Sequence, residues 1–288
     1  MRSEFKYVRT DSLQECLDFL SAHGLETEIM AGGTDLMISL RGGSLSPKFV
    51  LDISRLQEIR SIEKYRDFIK IGSNLTYSEL INDTLLARTF PALHVAMGCV
   101  GSQQIRNVGT LGGNIANSSP AADSVPGMMI HEAEIMIQKA DSTRIEKLEK
   151  LIVGPYSNTL TPDELITGIL LRPVESNFKQ SYRRIARRKS LSIARVNAAV
   201  LGSLNDSGCI EELRISVGSV APTPLRMRQA ENSIKGLRPE FKILQEASEL
   251  VAKQIIDLVG ARHSTEYKRP AIAGLVLKCL EDVLLDQN

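Results

Sequence analysis

The chain has 288 residues, 43% of them hydrophobic, and its 35 basic and 34 acidic side chains leave a net charge of +1. That balance excludes the basic excess or stripe of a nucleic-acid-binding surface, and no apolar run approaches the ~20 residues that span a bilayer. The opening segment Arg2-Ser3-Glu4-Phe5-Lys6 carries charge where a secretory leader would be apolar. The expectation is therefore a cytoplasmic protein of two domains, at roughly 100–200 residues for each.

Residues 12–22 place Leu13, Cys16, Leu17 and Leu20 at helical spacing, with Asp11 or Ser12 as the cap and Gly24 beyond the end. Residues 27–31 form a short extended segment running into Gly32-Gly33, and 49–53 and 68–72 read as strands. A small α/β unit is expected to end near residue 55, and a second unit runs from 56 to about 175. In the second unit the pattern predicts helices over 78–86 and 90–100, then a long structured loop over 100–125, rich in Gly, Ser, Asn and Ala. Strands are expected at 135–138 and 165–171. After a linker at 174–180 comes an arginine-rich run over 181–196. Paired strands follow at 196–204 and 212–220 around an Asn205-Asp206-Ser207-Gly208 turn. Helices over 239–259 and 270–286 close an α+β domain spanning 176–288.

Cys16, Cys99, Cys209 and Cys279 are widely spaced and form no CxxC pair, so an iron–sulfur cluster or zinc site is not expected in this chain. No metal ligands and no acid–base catalytic residues are assigned. His23, His94, His131 and His263 lack a neighbouring nucleophile or acid and read as ordinary core or surface residues.

Two glycine loops carry the chemistry. Ala31-Gly32-Gly33-Thr34-Asp35 and Thr110-Leu111-Gly112-Gly113-Asn114 each join apolar residues to a Gly-Gly pair and a polar donor. Glycine reaches φ > 0 and lets backbone approach a ligand, and successive amide N–H groups in such a turn converge into an anion-binding nest. Two facing loops suit the two charges of a dinucleotide diphosphate better than one, although a Gly-Gly pair also serves as a plain turn. Asp123, a lone acid shortly after the second loop, is placed to accept from ribose hydroxyls. The spacing is neither GxGxxG nor a P-loop, which excludes a Rossmann or kinase reading.

Together, 31–36, the run Gln104-Ile105-Arg106-Asn107-Val108-Gly109 into the second loop, Ala221-Pro222-Thr223-Pro224-Leu225-Arg226 and Tyr267-Lys268-Arg269 resemble the flavin (medium) subunits of the molybdenum hydroxylases. That group includes the flavin chains of xanthine, nicotinate and carbon monoxide dehydrogenases, and the resemblance runs over nearly the whole chain. It implies a two-subdomain FAD-binding domain of the vanillyl-alcohol-oxidase-like (PCMH) type over 1–175, followed by a C-terminal α+β domain like that of the carbon monoxide dehydrogenase flavoprotein. It further implies FAD as cofactor, with Ile29, Met30, Ala31, Gly32, Gly33, Thr34, Asp35 and Leu36 lining the diphosphate with Thr110, Leu111, Gly112, Gly113 and Asn114. Gly101 would lie beside the flavin, Asp123 at the ribose or adenosine end, Ile166 packed on the cofactor, and Arg184 where the family has a lysine.

Ser192 stands where many xanthine dehydrogenase chains carry an acid, and Arg188-Lys189-Ser190-Leu191 is worded more like nicotinate dehydrogenase chains. The function implied is electron transfer: a molybdopterin-binding large subunit and a 2Fe-2S small subunit would pass electrons through this FAD to NAD or another acceptor. A stand-alone FAD oxidoreductase with its own organic substrate, and a non-redox nucleotide-binding assembly subunit, stay open.

Overall fold

The computed structural model describes residues 4–188, 192–260 and 265–285. His263 and residues 189–191 lie outside them, as does the end of the final helix expected to reach 286. By its internal contacts the chain separates into two compact units. The first comprises residues up to Asn82, Ser102–Ser119 and Ala133–Arg172; the second comprises Asp83–Gly101, Pro120–Glu132 and the residues from Pro173 onward.

The first unit holds two main sheets. β1 (Lys6–Arg9), β2 (Thr27–Met30) and β3 (Phe49–Asp52) form a parallel sheet in the order β1-β3-β2. One face of this sheet, with Val8, Ile29 and Leu51, packs against Cys16, Leu17 and Leu20 of the helix Leu13–His23. That helix starts at Ser12, whose hydroxyl accepts from the Glu15 amide as a side-chain cap should.

The second sheet is antiparallel and runs β4-β5-β10-β6-β7, built from β4 (Ile62–Tyr65), β5 (Phe68–Gly72), β6 (Glu134–Gln138), β7 (Thr143–Lys147) and β10 (Leu165–Leu171). A small ribbon of β8 (Ile152–Gly154) and β9 (Ser157–Asn158) completes the unit. β10 is central and buried at every position, which explains its mostly apolar sequence, broken only at Thr167 and Gly168. A bulge between Ile166 and Gly168 interrupts its pairing with β6.

The second unit carries an antiparallel sheet of β11 (Lys179–Ala186), β12 (Ala194–Leu204), β13 (Ile210–Gly218) and β14 (Leu225–Arg226). One face packs on the helices Phe241–Val259 and Thr265–Leu284 around Val200, Ile215, Val251 and Val276.

Several elements differ from the expectation, each for a local reason. The stretch expected as one helix over 78–86 is two, Tyr77–Asn82 and Thr84–Thr89, because Asp83 takes extended backbone and its side chain caps the second by accepting from the Leu86 amide. The expected loop over 100–125 contains the helices Gln103–Arg106, Leu111–Asn117 and Ser124–Met129, too short to show a hydrophobic period. β11 lies in the arginine-rich run and shows no clean alternation: neighbouring Ser181 and Tyr182 are both buried, and Arg183 beside them is exposed. The last helix begins at Thr265, with Pro270 inside its early turns rather than at its start.

Candidate functional site

The first glycine loop leaves β2 at Met30, whose carbonyl accepts from the Ile53 amide at 3.0 Å. Gly33 takes φ 67°, a value that glycine adopts without Cβ strain. Its carbonyl accepts from the Met37 amide, opening the helix Leu36–Gly42. The Asp35 side chain does not cap that helix; Thr34 Oγ1 donates to it at 3.2 Å. The N–H groups of Gly32, Gly33, Thr34, Asp35 and Leu36 consequently find no acceptor among the described residues. They form a continuous row of uncommitted donors on a half-buried loop.

The second loop behaves in the opposite way. The Leu111 amide donates to Leu75 O (3.3 Å), Gly112 to Ser73 O (2.9 Å), Gly113 to Thr110 Oγ1 (3.0 Å) and Asn114 to Thr110 O (3.0 Å). Tyr77 N–H in turn donates to Gly109 O, so 109–112 is stitched along 73–77 like a short strand pair. A Cβ on Gly112 would lie 2.6 Å from Ser73 Cβ and 2.7 Å from Ser73 O, so no side chain fits there. Ser73 N–H donates to Thr167 O at 3.4 Å, within the β10 bulge that follows Ile166. Ile166 itself is buried in the sheet.

The two loops meet. A Cβ built on Gly32 would strike the Val108 carbonyl and lie 2.9 Å from Gly109 Cα, so glycine is required for this contact. A Cβ on Gly113 would come within 3.8 Å of Ala31 Cβ. The structure thus joins Ala31–Asp35 and Thr110–Asn114 in one unit. Upstream, Ile29 is half-buried against the core of the parallel sheet, and burial pushes the pKa of neighbouring Glu28 up.

Asp123, Arg184 and Gly101 belong to the second unit. Gly101 sits at φ 51°. Asp123 is 7% exposed and heads the helix Ser124–Met129 without capping it. Its Oδ1 accepts from Tyr182 Oη at 2.7 Å and from Asn197 Nδ2 at 3.5 Å, and its Oδ2 accepts from Arg184 Nη1 at 2.7 Å. The same Nη1 donates to Cys99 O at 2.8 Å, and the Arg184 side chain is 9% exposed. Burial lifts the Asp123 pKa, while Tyr182, Arg184 and Asn197 pull it back down. Burial, with the Asp123 charge beside it, holds the Tyr182 phenol well above its usual value. Sequence reasoning missed Tyr182 and Asn197; their one signal is strand register, since Tyr182 lies two residues before Arg184 and Asn197 opposite Arg184.

Comparison with known proteins completes the picture. Residues 3–172 match the family model for the FAD binding domain in molybdopterin dehydrogenase, and residues 180–283 match the CO dehydrogenase flavoprotein C-terminal domain. The glyceraldehyde dehydrogenase medium chain of Sulfolobus acidocaldarius is 30% identical over 97% of this chain and 98% of its own length. This chain belongs to the FAD-binding subunits of the molybdopterin dehydrogenases.

The nicotinate dehydrogenase FAD-subunit of Eubacterium barkeri is 28% identical, covering 98% of this chain and 96% of its own. A chain of carbon monoxide dehydrogenase from Hydrogenophaga pseudoflava superposes with a TM-score of 0.91 at 23% identity, covering 98% of each chain, and so shares the fold. The cofactor of this family member is FAD, and the protein is the flavin subunit of a dehydrogenase of the molybdenum hydroxylase type. The donor set fits that group: a diphosphate needs several N–H donors at close approach, and the amides of Gly32–Leu36 are a row of donors with no acceptor among the described residues. Among the described residues, no helix is long and apolar enough to cross a membrane.

Proposed function

We propose that the first glycine loop carries the FAD diphosphate on its free amides and that the second loop, tied to 73–77, braces it. The observation behind this reading is the contact of Gly32 with the Val108 carbonyl beside a row of uncommitted N–H groups. In this reading Ile29–Leu36 and Thr110–Asn114 line the diphosphate in an FAD-binding domain over about 1–175, and Ile166 supports the cofactor through the β10 bulge. Gly101 and Arg184 are proposed contacts of the flavin and Asp123 of the ribose end. Two hydrogen bonds and one ion pair already occupy the Asp123 carboxylate, leaving it room for one further donor.

FAD supplies the redox chemistry when bound, while the protein positions it and sets its electrostatic surroundings. We further propose that a molybdopterin-binding large subunit and a 2Fe-2S small subunit deliver electrons to this chain, which passes them to NAD or another acceptor in the cytoplasm. The relatives support a substrate chosen elsewhere: their names span glyceraldehyde, nicotinate, xanthine and caffeine on one flavin-chain architecture. An N-heteroaromatic such as a purine or nicotinate is the proposed substrate class of the complex, acted on by the molybdenum chain.

Tagged full-length protein should co-purify with molybdenum and iron–sulfur chains from its source cells, and the complex should reduce NAD when given the N-heteroaromatic. Turnover of an organic substrate by the FAD-loaded chain alone would instead support a stand-alone oxidoreductase.

A further inference from the structure

Arg184 is a permanent cation held almost entirely out of water. Taken alone, a buried guanidinium near a flavin would favour the anionic form that FAD adopts on taking up two electrons and one proton. It is not alone. Its Nη1 is 2.7 Å from Asp123 Oδ2, and a carboxylate at that distance cancels most of the cation's field beyond the pair.

The surroundings hold Asp123 in this role. Tyr182 and Arg184 lie two residues apart on β11, and Asn197 is the cross-strand partner of Arg184 on β12. All three side chains reach the same carboxylate. Asn197 is fully buried and its Oδ1 has no hydrogen-bond partner among the described residues. A Cβ on Gly218 would collide with that Oδ1, so Gly218 leaves the space in which the amide stands. A buried amide with one unsatisfied oxygen costs stability, and its other end is spent on Asp123.

We propose that Asp123, fixed by Tyr182 and Asn197, cancels the charge of Arg184 and so keeps the midpoint potential of the bound flavin low. Tyr182 and Asn197 are positioning residues: they act through Asp123 and Arg184. The proposal rests on the reading that Arg184 faces the flavin.

The test is a reductive titration with dithionite of the FAD-loaded full chain beside a reference dye, with melting curves and flavin stoichiometry to confirm folding and loading. At a fixed dye potential, Asp123→Asn should raise the reduced-to-oxidised ratio about tenfold, equivalent to about 30 mV for a two-electron couple. Tyr182→Phe, which removes one hydroxyl and keeps the ring packed, should move the ratio the same way by about threefold. The double change Asp123→Asn with Arg184→Gln should return it towards the wild-type value. If Arg184→Gln perturbs the flavin spectrum but Asp123→Asn and Tyr182→Phe leave the potential unchanged or lower it, the charge-cancelling role is overturned while the placement of Arg184 stands. If none of these changes alters the spectrum or the potential of a fully loaded protein, the placement of Arg184 at the flavin fails, and the proposal with it.

Discussion

The two glycine loops look alike in sequence and do opposite things with their backbones. Gly32–Leu36 leaves its N–H groups uncommitted, whereas Leu111–Asn114 spends every one on Leu75, Ser73 or Thr110. Their glycines differ accordingly. Gly32 is small because the Val108 carbonyl, two residues before the second loop, presses on it, and Gly112 is small because Ser73 does. A Gly-Gly pair can therefore be a ligand cradle or the brace behind one, and the destination of its amides tells the two apart.

The strongest way to break this comparison is to damage the cradle. Gly32→Val would push the first loop off Val108, and FAD affinity should fall about 100-fold, on the order of 3 kcal/mol. Quenching of flavin fluorescence on titration into apo-protein measures it; an affinity within about threefold of wild type would show that the loop is not the cradle.

Gly112→Ala attacks the brace instead. With Ser73 Cβ 2.6 Å away, the added methyl should cost about 2–3 kcal/mol of stability in urea unfolding. The fraction that still folds should bind FAD with nearly unchanged affinity, and a collapse of affinity without loss of stability would reverse the assignment of the two loops. Thr110→Ala removes the hydroxyl that caps Leu111–Asn117 and should lower stability by about 1 kcal/mol, seen as a drop of a few degrees in thermal midpoint.

The smallest effect is an acid edge in the same unit. Arg144 grips Glu164 through Nε at 2.7 Å and Nη2 at 2.9 Å and holds its carboxyl below the usual range, helped by the Thr161 amide against the opposing cost of burial. A lowered carboxylate pKa adds stability that is complete above the ordinary glutamate value of about 4.3 and is lost as pH falls through the folded-state value. Glu164→Gln should flatten that acid-side decline in melting temperature while leaving FAD affinity at neutral pH unchanged. An undiminished decline in the variant would place the acid edge elsewhere.

Much of the scaffold was legible because its signals are local. β10 shows itself as a short, mostly apolar run, and the first helix by the spacing of Leu13, Cys16, Leu17 and Leu20 with its Ser12 cap. β4 and β7 sit at the sheet edges and bury no residue fully, and in β7 even Ile145 is exposed, so their sequences carry little pattern. β11 escaped because it buries neighbouring Ser181 and Tyr182 and then carries Arg183 and Arg184, so its sequence has no period of two. At the site, both glycine loops were readable from composition, but the opposite fates of their amides depend on Val108, Ser73 and Leu75 meeting them in three dimensions. Asp123 was readable as a lone acid; its partners Tyr182 and Asn197 are 59 and 74 residues away, beyond any local pattern.

Amide hydrogen exchange in the apo and FAD-bound chain tests the division of labour between the loops most directly. The amides of Gly32 to Leu36 should exchange fast without FAD and slow markedly when it binds, whereas those of Leu111 to Asn114 should be slow in both states. Fast exchange in both loops of the apo-protein, or no slowing at Gly32 to Leu36 when FAD binds, would contradict it.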